Sequence, residues 1–209
     1  MKLLNKNQTF ENFSVNDGNA WSIAALKAVV ADKKRYNPVY IYGDEGVGKS
    51  HLLNATNNAL LSEQNKVILL TAESLTYHLV ENLTNSEFDY ILIDDLNLMP
   101  KDDVLEEQLV KLIEANKKQL IISSTVAQNS LEVSSKLQER LQWGLTTSIV
   151  SENQWYVNQN VFNRKETINM QEWIVVDQFG NMIAQGFYDK QSAEFYAKSI
   201  PNASVEKKR

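Results

Sequence analysis

Three observations predict an α/β fold whose mostly parallel sheet is covered by helices on both faces. Strand-like and helical segments alternate along residues 39–150. A glycine-rich loop, Gly43-Asp44-Glu45-Gly46-Val47-Gly48-Lys49-Ser50, joins a strand to a helix. A further apolar strand ends in the acidic pair Asp94-Asp95. Unbroken alternation of this kind forces crossover helices between parallel strands, and the C-terminal strand ends then line a ligand crevice.

Taken in order, residues 1–16 read as an extended arm with Phe10 and Phe13 as its apolar anchors. Asp17 or Asn19 is placed to cap a helix in which Trp21, Ala24, Ala25, Ala28 and Val29 form one apolar face. The first strand, residues 39–42, runs into the loop, and Leu52, Leu53, Ala55, Ala59 and Leu60 follow at helical spacing. The loop fits G-x-x-x-x-G-K-[ST] at every fixed position. Its glycines allow a tight turn, so main-chain N–H groups and the helix N-terminus face bound phosphates. Lys49 is expected at the β- and γ-phosphates and the Ser50 hydroxyl on Mg²⁺, which makes ATP or ADP with Mg²⁺ the expected ligand. A chance glycine-rich turn is the alternative, and the flanking strand and helix argue against it.

A second strand (66–71), a helix (73–83, with Leu75, Leu79 and Leu83 in register) and a third strand (90–93) come next. Four apolar residues ending in two acids match the companion motif of P-loop ATPases. Asp94 is expected to hold the Mg²⁺, directly or through its water, and Asp95 to polarise the attacking water as general base. Alone, such a strand end is more often a capped turn; one strand and one helix after a phosphate loop, it carries weight. Val104, Leu105, Leu109, Leu112 and Ile113 face one side of the next helix. The fourth strand, 119–125, turns polar at its end, so Ser124 and Thr125 stand where a γ-phosphate is sensed, or else cap a turn. A helix over 131–141 carrying Arg140 and a fifth strand over 145–150 complete a nucleotide-binding core of residues 1–150.

The remainder divides into an Asn-rich linker (151–170) and a small unit (171–209). In that unit, strands over 173–176 and 182–188 flank a hairpin turn, and Ala193, Tyr196, Ala197 and Ile200 line a helix. A ββα unit of this size buries too little to stand alone and is expected to pack on a core or a partner.

Composition bounds the function. The chain has 209 residues, 43% hydrophobic and 22% charged, with no cysteine and two histidines, which leaves out disulfides and thiolate metal sites. No apolar run approaches the roughly 20 residues of a membrane span, and the N-terminus has no signal-peptide core, so a cytoplasmic protein without membrane contact is expected. A net charge of −5 argues against nonspecific nucleic-acid binding over the whole surface. The clusters 33–35 and 207–209 read as a solvated helix end and a frayed tail before they read as nucleic-acid contacts.

Four stretches together resemble the AAA+ core of the DnaA/Hda family: residues 8–13, residues 42–53 including Ser50-His51-Leu52-Leu53, Ile93-Asp94-Asp95, and residues 137–144 with Arg140 and Trp143. The resemblance covers residues 8–150. It implies that Arg140 is an arginine finger reaching a neighbour's γ-phosphate, although spacing alone suggests a surface arginine. It implies that Thr125 is the strand-end sensor, where initiators usually carry Asp, and that Phe10 and Phe13 belong to an arm approaching the adenine. His51 matches a family position beside the nucleotide loop and by itself reads as a packed histidine. The implied partner is another AAA+ subunit, either a DnaA-like initiator or a second copy, or a replicative helicase.

Departures from the family narrow the expectation. There is no room before Asp94 for the extra helix with which initiators grip single-stranded DNA. No helix-turn-helix domain follows, residues 1–9 hold no clamp-binding peptide, and no helical lid is visible over 151–170. The resulting reading is a regulator of initiation or a helicase loader with a weak or partner-dependent ATPase, in a reduced form such as a phage encodes. The alternative is a non-hydrolysing adaptor that holds a partner through its C-terminal unit.

Overall fold

The computed structural model describes residues 5–150, 173–187, 193–194, 197–198 and 200–207. The linker over 151–170, and with it the expectation of a missing lid, lies outside the described residues. The chain divides into two units, Met1–Asn158 and Gln159–Arg209.

In the first unit, β1 (Val39–Tyr42), β2 (Val67–Thr71), β3 (Tyr90–Asp94), β4 (Gln119–Ser124) and β5 (Leu145–Ser148) form one parallel sheet in the order β2-β3-β4-β1-β5. Side chains alternate between its faces with period two. Tyr40, Ile91, Ile93, Leu120 and Ile122 enter one core, while Val39, Ile41, Tyr90, Leu92 and Ile121 enter the other. Both faces are apolar, so both must be covered, and that accounts for near-continuous hydrophobic strands.

The helices α1 (Ala20–Ala31) and α2 (Lys49–Ser62) cover one face through Ile23, Leu26, Val29, Leu52, Leu53 and Leu60. The opposite face is covered by α3 (Tyr77–Thr84), α4 (Asp103–Ala115) and α5 (Ser135–Leu141). Among the described residues no helix is long and apolar enough to cross a membrane.

Two helices begin later than their apolar spacing predicts. Residues 72–74 form a short 3-10 turn, Leu75 stays extended with its side chain buried, and Thr76 caps α3 by accepting from the Leu79 N–H. Leu131 likewise closes a 3-10 turn, and Ser134 caps α5 by accepting from the Leu137 N–H. In each case a cap competes with apolar periodicity and wins, because an N-cap satisfies a donor that the helix would leave orphaned. Asn19 occupies the N-cap position of α1 without capping it: its side chain donates to Ser14 O and accepts from Asn16 N–H, folding the preceding turn instead. The β5 pairing stops at Ser148, after which Ile149 N–H reaches Tyr42 O and Val150 N–H reaches Gly18 O.

In the second unit, β6 (Trp173–Val176) and β7 (Met182–Phe187) form the expected hairpin. A third strand, β8 (Ser204–Lys207), pairs antiparallel with β6 on its other side and takes in Lys207; the other two residues of the basic cluster 207–209 lie outside the described residues. Val175 packs with Ala193 and Ala197.

Candidate nucleotide-binding site

The phosphate loop leaves β1 at Tyr42 and enters α2 at Lys49. Two of its glycines are required by geometry. A side chain at Gly43 would put its Cβ 2.2 Å from the Ile149 carbonyl oxygen, and Gly43 N–H bonds Ser124 O at 3.3 Å, tying the loop to β4. Gly48 has φ +104°, and a Cβ there would lie 2.6 Å from the Phe13 ring.

Lys49 is 5% exposed, and its Nζ donates to Gly43 O at 2.7 Å and to Asp44 O at 2.8 Å. Burial pushes the ammonium pKa down from its usual range, while Asp95, Asp94, Asp44 and Glu45 pull it back up. One lysine therefore faces four carboxylates. A polyphosphate entering such a site without a counter-cation meets net repulsion, so the charge balance fits a nucleotide carried with a divalent cation. Oxygens of a kind that could ligate Mg²⁺ are the Ser50 hydroxyl, in the first turn of α2, and the Asp94 carboxylate at the end of β3.

Asp94 ends β3 in register with Thr71 and is 4% exposed. The Ser123 hydroxyl donates to its Oδ1 at 2.6 Å and accepts from Asp95 N–H at 2.9 Å. Asp95 adopts a left-handed backbone, φ 58°, which costs a non-glycine residue about 1–2 kcal/mol. Next to this pair Asn97 Oδ1 accepts from Thr125 N–H at 2.8 Å and from Ser124 Oγ at 3.2 Å. Thr125 thus sits on a loop held by Asn97. Sequence reasoning named Ser124 and Thr125 but passed over Ser123 and Asn97. In the sequence these two are polar residues, one inside β4 and one in the short turn after Asp95, with no motif to mark them.

Thr125 lines a cleft of about 520 Å³ together with Tyr42, Gly43, Asp44 and Val150. A second recess of about 270 Å³, lined by Asp17, Gly18, Trp21 and Thr146 among others, shares Tyr42, Ser148 and Val150 with it. Together they run along the C-terminal edge of β1 and β5, where a parallel sheet opens to ligands.

The N-terminal arm is fastened along α2. His51 Nε2 lies 3.0 Å from Thr9 O and 3.1 Å from Asn12 Oδ1; with two acceptors as partners, this nitrogen carries the proton. Asn54 Oδ1 accepts from Asn5 N–H, and Asn58 Nδ2 donates to Asn5 O and Gln8 O. Residues 51, 54 and 58 form one polar stripe at helical spacing, a signal that sequence reasoning did not use. Phe13 meets His51 edge-on at 4.9 Å and lies over Gly48, while Phe10 is buried in the core beside α1 and α2.

Arg140 finds its partners elsewhere: its Nε donates to Glu114 at 2.8 Å, and its NH1 to Glu139 at 3.2 Å. The guanidinium lies over the Trp143 ring.

The family model for the bacterial DnaA ATPase domain matches residues 4–148. The chromosomal replication initiator protein DnaA of Campylobacter jejuni is 35% identical over 164 residues, 70% of this chain and 37% of that protein. The chain thus spans little more than a third of the length of that relative. Among solved structures, domain III of the Thermotoga maritima replication initiation protein DnaA superposes with a TM-score of 0.65 at 26% identity, covering 80% of each chain. A replication initiator DnaA bound to AMPPCP and single-stranded DNA gives a TM-score of 0.65 at 25% identity, over 79% of this chain and 58% of that one.

Proposed function

The chain belongs to the bacterial DnaA ATPase domain family, and we propose that it binds ATP and ADP with Mg²⁺ and acts in the initiation or control of DNA replication through nucleotide-dependent contact with another AAA+ subunit. The observation that carries this reading is Lys49, a buried ammonium held by two carbonyls of the glycine loop and facing the Asp94-Asp95 pair. Burying an ammonium is costly, and two loop carbonyls fix this one within the phosphate-binding motif, where a polyphosphate would add a charged partner to those it already has.

In this reading the loop N–H groups and Lys49 bind the phosphates, while Ser50 and Asp94 hold the Mg²⁺. Bound Mg²⁺ supplies charge neutralisation and polarises the terminal phosphoryl group. Asp95 orients the attacking water, and Thr125, held by Asn97, meets the γ-phosphate side. Arg140, on the helix after β4, is the group offered to a neighbouring subunit's nucleotide, so hydrolysis by the isolated chain is slow. A second copy of this chain or a DnaA-like initiator is the partner of matching chemistry.

Calorimetric titration of the chain with ADP and with ATP, each with Mg²⁺, tests the reading against Lys49→Ala. Micromolar binding that the substitution abolishes is the expected result. Absence of binding by either nucleotide would overturn it and favour an adaptor that retains only the fold.

A further inference from the structure

The paired register of β3 and β4 runs up to Ile93 opposite Ile122. Immediately beyond it, where Asp94 and Asp95 begin, the link between the two strands passes to the Ser123 side chain. We propose that Ser123 is a positioning residue for the acidic pair, setting the orientation of the Asp94 carboxylate and thereby how strongly the site holds a divalent cation with its nucleotide; the inference rests on the nucleotide-site reading above.

The argument follows from the hydroxyl's inventory. Serine has one O–H to donate. Its oxygen here accepts from Asp95 N–H at 2.9 Å, and its proton is directed at Asp94 Oδ1 at 2.6 Å, a length typical of a hydrogen bond to an ionised carboxylate. Ser123 is fully buried and Asp94 is 4% exposed, so water does not compete for either position.

One oxygen of the carboxylate is therefore pinned. Rotation about the Cβ–Cγ bond is restricted, which biases the directions of its remaining lone pairs. Ser123 Oγ in turn accepts from the N–H of Asp95, the residue at which the backbone turns left-handed as it leaves β3. A single hydroxyl thus fixes both acids relative to β4, the strand whose end also carries Thr125. Groups that orient a metal ligand in this way are typically worth about 10–100-fold in metal affinity.

The test is ATP binding to the full chain, measured by calorimetry with Mg²⁺ and with EDTA, for the wild type, Ser123→Ala and Ser123→Thr. The expected result is a Mg²⁺ enhancement of ATP affinity that falls about 10-fold or more in Ser123→Ala. Affinity in EDTA stays unchanged, and the hydroxyl of Ser123→Thr restores the enhancement. A general loss of structure would lower both affinities together and move the melting temperature. Should the alanine variant not fold, Ser123→Cys, nearly isosteric and a poor donor, takes its place in the same comparison. A wild type that responds to Mg²⁺ beside an alanine or cysteine variant that responds equally overturns the role of Ser123 alone. A wild type whose ATP affinity ignores Mg²⁺ overturns this inference and the metal-site reading with it.

Discussion

The guanidinium of Arg140 lies over the indole of Trp143, with 4.6 Å between its central carbon and the ring centroid. Trp143 is 57% exposed, so a partly solvated aromatic shelf carries the arginine while Glu114 holds its Nε. Such a stack is worth about 0.5–1 kcal/mol at an exposed site and mainly restricts where the guanidinium points.

Removal of Arg140 should therefore separate binding from turnover. In Arg140→Ala the ATP affinity of the isolated chain stays within about twofold of wild type, because the side chain touches nothing at its own phosphate loop. Hydrolysis that rises with protein concentration, measured as phosphate release, should disappear. Trp143→Ala should weaken the same concentration-dependent rate by a smaller factor, with the affinity again unchanged.

Tyr40 offers a test of the sheet's interior. Its ring is buried and its hydroxyl donates to Val126 O at 2.9 Å; burial pushes the phenol up to about 12. The unfolded chain loses this proton near 10, before the folded one does, so the contribution is complete below pH 10 and is lost as pH rises toward 12. On the order of 2–3 kcal/mol of stability should vanish over that interval in urea titrations. Tyr40→Phe should flatten that part of the pH profile, at a cost of about 1 kcal/mol at neutral pH.

The opposite sign applies to Asp89. The ammonium of Lys33, 2.6 Å away, holds its carboxyl below the usual carboxylate value. The stabilisation is present at neutral pH and is lost as pH falls through the lowered value. Both groups are partly exposed, so the pair is worth less than about 1 kcal/mol. In Lys33→Ala the Asp89 carboxyl, followed by NMR, should titrate at higher pH than in the wild type.

Detaching the arm is the aim of His51→Ala. The substitution removes the donor to Thr9 O and Asn12 Oδ1 together with the Phe13 contact, and should cost about 1–2 kcal/mol. Limited proteolysis should then cut within residues 5–13 much faster than in wild type, while the sheet core stays resistant.

Gly43→Ala should fail for a local reason. Its Cβ would meet the Ile149 carbonyl at 2.2 Å, so the loop and the end of β5 must separate. A loss of about 1–3 kcal/mol is expected in denaturant titrations, accompanied by loss of nucleotide binding.

Much of this architecture was legible in the sequence because parallel strands buried on both faces read as short apolar runs. Val39–Tyr42, Tyr90–Asp94 and Gln119–Ser124 have few other homes. The phosphate loop was legible because its glycines and lysine leave a spacing that chance seldom produces. The starts of α3 and α5 were not, since Leu75 and Leu131 are buried without being helical and continue the apolar register. Strand β8 is four mostly exposed residues on a sheet edge, with too little hydrophobic pattern to detect. Ser123 and Asn97 were passed over for a different reason. A polar residue near a strand end or in the turn after it is ordinary, and only the fold shows that Ser123 reaches the acidic pair and Asn97 the end of β4.

The way the arm is tied down bears on how this protein can change over generations. Three of its attachment points, Asn5 O, Gln8 O and Thr9 O, are main-chain carbonyls gripped by side chains of α2. A carbonyl is present whatever residue bears it. Mutation can therefore rewrite most of residues 5–9 while the moorings persist, and selection on this contact falls on His51 and Asn58.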